Sequence, residues 1–176
     1  MKTNMLHDDL LDRMRRLDED ASLIYDDSTG KRFNCIIVGG SALILLSCIN
    51  RATHDIDVVY CSKEICGLLE KYDFNQRVQV YLSNFPYNFE DRFVKVNVET
   101  KIIDFYTASL EDIVISKLCS FRDTDYNDIT QPYVVGKIDW DLLERLAEEL
   151  KDSILNERNY AEFKTMYEKY AEDYKK

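Results

Sequence analysis

The chain has 176 residues, enough for one core with a helical appendage, and a 45% hydrophobic content can build that core. Only 5 glycines and 2 prolines argue against long disordered stretches, and no run of about 18 apolar residues offers a membrane span. A formal net charge of -10 excludes a global attraction to nucleic acid, leaving a local basic patch, a small nucleotide or a protein as the means of recognition.

In chain order, Leu6, Leu10, Met14, Leu17 and Ala21 recur at helical spacing and predict an amphipathic N-terminal helix. Residues 26–31 are rich in turn formers. Phe33 to Val38 predicts a first strand, Ser41 to Cys48 a second helix and Ile56 to Cys61 a second strand. Lys63 to Tyr72 predicts a third helix, and Gln76 to Leu82 alternates as a strand does. A loop containing Pro86 follows, then two strands over 93–98 and 101–106 that predict a hairpin. From Ser109 onward the pattern is helical. The fold class expected is therefore α+β: a small mixed sheet flanked by helices, with a core over 1–108 and a helical C-terminal subdomain over 109–176 packed on it.

Five cysteines, Cys35, Cys48, Cys61, Cys66 and Cys119, lie scattered in apolar segments. The first nine residues carry no signal-peptide pattern, so reduced thiols in a cytoplasmic protein are the expectation. His7 and His54 are the two histidines, too few for an ordinary zinc site.

Gly39-Gly40-Ser41 sits between the first apolar strand and the second helix. Two glycines let the chain turn sharply and let a ligand approach the backbone. Ser41 can cap the helix or hydrogen-bond a phosphate oxygen. No Gly-Lys-Ser/Thr follows, so this is not a Walker loop, and the third glycine of a dinucleotide fingerprint is missing. Just downstream lie Arg51 and Asp55-Ile56-Asp57. On a strand, residues two apart share a face, and aspartate is disfavoured there. Two carboxylates about 5 Å apart repel by roughly 3 kcal/mol at an effective dielectric of 20, and a divalent cation reverses that sign. Oxygen ligands completed by phosphates suit magnesium or manganese rather than zinc. The competing reading is a solvated loop ahead of the strand.

Leu110, Ile113, Val114, Leu118 and Phe121 form one apolar helix face with Lys117 in its middle. A lysine there either snorkels to water or meets phosphates or carboxylates in an internal site. Arg122, Asp125 and Asp128 follow in a charged stretch that also reads as a solvated helix surface. Tyr160, Phe163, Tyr167, Tyr170 and Tyr174 make an aromatic stripe on the last helix, expected to serve core packing or an oligomer contact rather than base stacking.

Gly39-Gly40-Ser41 with Asp55-Ile56-Asp57 resembles the signature of the DNA polymerase β nucleotidyltransferase superfamily. The block from Leu110 through Lys117 to Arg122, Asp125 and Asp128, with Glu90-Asp91-Arg92, resembles bacterial toxin–antitoxin nucleotidyltransferase-like proteins of the AbiEii type and short relatives of unassigned function. The resemblance spans roughly residues 33–129 and implies Mg²⁺ or Mn²⁺ on Asp55 and Asp57. It also implies an NTP held by Gly39, Gly40, Ser41, Arg51, Lys117 and Arg122, with Asp125 or Asp128 lining the site and Asp128 joining the catalytic set. Active members usually carry a third carboxylate on a later strand. Asp104 is the candidate here, or a residue facing solvent. The implied activity is nucleotidyl transfer to a protein or tRNA acceptor. A non-catalytic antitoxin or interaction component, partnered by a protein encoded nearby, is the alternative.

Overall fold

The computed structural model describes residues 4–25, 28, 30–154 and 156–176, so part of the expected turn over 26–31 lies outside the described residues. Five strands make one sheet: β1 (Phe33–Ile37), β2 (Ile56–Cys61), β3 (Phe74–Asn75), β4 (Val94–Lys95) and β5 (Ile103–Thr107), in spatial order β3-β2-β1-β5-β4. β1 runs antiparallel to β2 and parallel to β5; β2 and β3 are parallel, and β4 and β5 form the expected antiparallel pair. The sheet is therefore mixed, and with helices throughout the C-terminal part the class is α+β.

The chain divides into two units, Met1–Gln79 with Phe93–Ala108, and Val80–Arg92 with Ser109–Lys176. The first holds the sheet. Its helix α1 (His7–Ile24) starts where Asp9 accepts the Leu6 N–H at 2.9 Å, satisfying a backbone donor that the helix itself cannot. Leu6 precedes the first turn and is exposed, while the rest of the predicted stripe, Leu10, Met14, Leu17 and Ala21, is fully buried. Within it sits Asp18, also buried, whose carboxylate accepts backbone N–H groups of Lys101 at 2.6 Å, Ile102 at 2.9 Å and Ile103 at 2.8 Å. A carboxylate can be buried when donors replace its water, and these three tie α1 to the start of β5. On the sheet, Cys35, Ile37, Ile56, Val58, Ile103 and Phe105 are buried.

Three expectations change. The chain over 77–84 is a 3₁₀ helix (Arg77–Asn84), not a strand. β3 stops after two residues because the Asn75 side-chain oxygen accepts the Arg77 N–H at 3.0 Å and curls the backbone away from the sheet. The helix expected over 63–72 is a 3₁₀ helix (Cys66–Tyr72), ended by Asp73 in the left-handed region at φ 64°. Cys61 at the end of β2 and Cys66 at the start of that helix are joined as a disulfide, so the five thiols are not all free as expected.

The second unit is helical: α3 (Leu110–Leu118), α4 (Asp123–Ile129), α5 (Pro132–Val135), α6 (Trp140–Ser153) and α7 (Glu157–Tyr174). Ser109, Asp139 and Asn156 cap α3, α6 and α7 by accepting the N–H groups of Asp112, Leu142 and Arg158. The aromatic stripe of α7 belongs to this core. Phe163 and Tyr170 are buried, the Tyr170 hydroxyl donates to the Ile129 carbonyl at 2.7 Å, and Trp140 lies 5.6 Å from the Tyr170 ring.

Candidate active site

The junction of β1 and α2 (Gly39–Leu45) is built from a glycine that no other residue type would replace without strain. The Val38 N–H donates to the Asp57 carbonyl at 2.9 Å, extending the β1–β2 pairing to the turn itself. Gly39 then adopts φ +69°. A Cβ built on Gly39 would lie 2.8 Å from the Asp57 Oδ2, and one on Gly40 would lie 2.6 Å from an Arg51 guanidinium nitrogen. The two glycines thus leave room for a carboxylate and a guanidinium to lie against the backbone. The Ser41 hydroxyl is buried and donates to the Val38 carbonyl at 3.0 Å, so it closes the turn.

Asp57 is the second residue of β2, beside the fully buried Ile56 that points the other way. The Asn75 side-chain NH₂ donates to Asp57 Oδ1 at 2.9 Å. Asp55 immediately precedes β2 and is half-buried; its carbonyl accepts the Thr53 hydroxyl at 3.1 Å. Thr53 in turn exchanges both backbone hydrogen bonds with Met5, at 2.8 and 2.9 Å, which fixes the approach to the strand. Asp55 and Asn75 line one cleft of about 670 Å³ with His54, Glu70, Asp73, Phe74, Gln76 and Arg77. Asp55, Asp57, Gly39, Gly40 and Arg51 therefore belong to one region of the first unit. Among the described residues no three His, Cys, Asp or Glu side chains form a metal-binding group. Asp57 on the glycine turn, with Asp55 two residues away, would suit a cation that takes its remaining ligands from phosphates and water, as magnesium does.

Asp104, the candidate third carboxylate or solvent-facing residue, lies towards the other end of the sheet and is buried. β5 pairs with β1 through Asn34↔Asp104 and Ile37↔Thr107, whereas Asp57 is level with Val38. Asp104 thus lies four residues along the strands from Asp57, about 13 Å. Its carboxylate meets Arg32 at 2.8 Å and Lys95 at 2.9 Å. Burial alone would raise its pKa; the hydrogen bonds and charges of Arg32 and Lys95 outweigh it and hold the carboxyl below the ordinary range.

The second unit brings the other motif together. The Lys117 ammonium is buried and donates to Asp125 at 2.5 Å and to Asp128 at 3.0 Å. Asp125 also accepts from the Ser120 hydroxyl at 2.7 Å and from Arg122, whose side chain is otherwise exposed, at 2.7 Å. Burial would raise the Asp125 pKa, but the Lys117 charge and these donors carry it below the ordinary range. Carboxylates are thus anions that meet the mid-face lysine, and they use two of its three N–H donors. A second pair escaped sequence reading: the half-buried Arg92 donates to the buried Asp112 through two nitrogens, at 2.9 and 2.8 Å. The Ser109 hydroxyl holds the same carboxylate at 2.7 Å. Glu90-Asp91-Arg92 and the block that starts at Leu110 both carry the family resemblance, but nothing in the sequence joins Arg92 to Asp112.

A glycine turn at the end of one central strand and an acidic pair at the start of the antiparallel neighbour, on a small mixed sheet, define a nucleotidyltransferase-type core. The chain belongs to the family described as "Nucleotidyltransferase of unknown function (DUF6036)", whose match covers residues 12–175. Comparison with curated proteins and with solved structures gives no match. Among the described residues no helix is long and apolar enough to cross a membrane.

Two outcomes follow. Gly39→Ala should destabilise the fold by about 1–2 kcal/mol from the left-handed backbone and also displace Asp57. Gly30→Ala, at φ +67° with open space around it, should show the backbone cost alone. Urea unfolding and Mn²⁺ titration of both variants would separate the effects, and equal Mn²⁺ affinities would contradict the cradle. Lys117→Met removes the ammonium that two buried carboxylates share and should destabilise the chain by about 3–5 kcal/mol. A loss below 1 kcal/mol in the same assay would return this cluster to the surface.

Proposed function

We propose that this nucleotidyltransferase-family chain transfers a nucleotidyl group from a magnesium-bound NTP to an acceptor hydroxyl, in a toxin–antitoxin-type setting. The acceptor oxygen would bond to the α-phosphorus and pyrophosphate would leave. The observation that carries the reading is Asp57 lying against the Gly39 turn, two residues from Asp55 and beside Arg51 over Gly40. Asp55 and Asp57 would hold Mg²⁺ or Mn²⁺, and a bound cation would stabilise charge developing on the phosphate oxygens. The Gly39-Gly40 backbone and Arg51 would orient the triphosphate.

The -10 charge favours a protein over tRNA as acceptor, because RNA would have to approach through a local basic patch. Two rings of the α7 stripe, Phe163 and Tyr170, are core, while Tyr160, Tyr167 and Tyr174 are half-buried. A second reading, a non-catalytic interaction or antitoxin component, draws on Asp104. With that carboxylate held by Arg32 and Lys95 at the other end of β5, the strand that would carry a third carboxylate brings none beside Asp55 and Asp57 to take the proton of the attacking hydroxyl.

Calorimetry with Mg–ATP and Mg–GTP tests the site. Asp57→Ala should weaken nucleotide binding at least tenfold, and wild-type affinity in the variant would remove the metal assignment. Supplying α-labelled NTP, Mg²⁺, tRNA and a cell extract distinguishes the outcomes. Label on a polypeptide supports the preferred acceptor, label on tRNA alone overturns it, and tight nucleotide binding with no transfer supports the second reading.

A further inference from the structure

We propose that Asn75 is a positioning residue for Asp57: its carboxamide fixes the turn of the Asp57 carboxylate and so sets the site's affinity for a divalent cation. The proposal rests on the reading of Asp57 as a metal-binding carboxylate and assigns a role to a residue outside that set. β3 pairs with β2 in parallel through Ile56↔Phe74 and Asp57↔Asn75, so the two polar side chains stand next to each other while Ile56 and Phe74 are buried. Asparagine is disfavoured in strands, and β3 is only two residues long.

Both ends of the Asn75 carboxamide are committed. Its oxygen accepts the Arg77 backbone N–H at 3.0 Å, and its NH₂ donates to Asp57 Oδ1 at 2.9 Å. The amide cannot be reversed. Flipping it would set an NH₂ against an N–H donor and an oxygen against a carboxylate, losing both bonds. The donor to Asp57 is charge-assisted. With Oδ1 held from the β3 side, Oδ2 is the oxygen that lies over Gly39, within 2.8 Å of where a Cβ would be. Asp57 is thus gripped from two sides, by an amide and by a glycine-lined backbone. Its carboxylate plane is set before any ligand arrives. Outer partners of ligating carboxylates orient them and typically change metal affinity by 10–100-fold when removed.

A purely structural role, ending β3 through the bond to Arg77, is the competing account, and a double-mutant cycle separates the two. Mn²⁺ binding to the 176-residue chain is measured by electron paramagnetic resonance, without nucleotide, for wild type, Asn75→Leu, Asp57→Asn and the double variant. Asn75→Ala is carried alongside in case the leucine disturbs folding, with near-ultraviolet circular dichroism confirming the native state. The expected result is about a tenfold weaker Mn²⁺ affinity for Asn75→Leu or Asn75→Ala in the presence of Asp57, and no further loss when Asp57 is already asparagine. Wild-type affinity in the Asn75 variants overturns the positioning role alone. The same fractional loss with and without Asp57 also overturns it, because Asn75 would then act on the fold and not on that carboxylate. Equal Mn²⁺ affinity of wild type and Asp57→Asn overturns the metal reading itself, and the proposal with it.

Discussion

The Asp57 carboxylate is wedged between the Gly39 turn and the Asn75 carboxamide, and the rest of the first unit serves to hold that arrangement. The Val38–Asp57 backbone bond sets the level of the strand against the turn. The Met5–Thr53 bridge fixes the segment that delivers Asp55. The Asp18 carboxylate ties α1 to the start of β5 through three backbone donors, bracing the sheet from its other end. An aspartate on a central strand would ordinarily weaken a sheet. Here the local cost is offset by packing and hydrogen bonds elsewhere, as happens where a fold carries a functional group.

The second unit follows different physics. Its buried charges are paired inside the protein: Lys117 with Asp125 and Asp128, and Arg92 with Asp112. Such pairs add little net stability relative to apolar packing, yet breaking one is costly because the remaining charge is left unpaired. Lys117 links α3 to α4, and Arg92 links the chain ahead of β4 to α3. The family resemblance had assigned Lys117 to phosphate; the structure gives it two carboxylates, and Arg122 strengthens the cluster through Asp125.

Much of the fold was legible because it rests on local periodicity. α1, β1, β2, the β4–β5 hairpin and the helical C-terminal part all follow apolar patterns of 3.6 or 2 residues. Gln76 to Leu82 misled because alternation cannot see a side chain that captures its own backbone, as Asn75 does with Arg77. The glycine turn and the acidic pair were legible as motifs, and their contact was not, because the Asp57–Gly39 approach is a tertiary fact. Asp104 looked like a third carboxylate from its strand alone. Only the register, Asn34↔Asp104, shows which end of the sheet it occupies. Asn75, Asp18 and the Arg92–Asp112 pair share one reason for escaping notice: each joins segments distant in sequence, and each uses a residue type that is unremarkable by itself.

Nucleotidyl transfer at this site requires that Asp55 and Asp57 share one cation on the glycine turn. The direct measurement is a crystal structure with Mn²⁺ and a non-hydrolysable NTP analogue, with data collected at the manganese absorption edge. The result predicted is an anomalous peak within about 2.2 Å of an oxygen from each aspartate, with the analogue's phosphates completing the shell beside Gly39 and Gly40. A bound analogue whose manganese lies away from Asp57, or whose phosphates avoid the glycine turn, would contradict it.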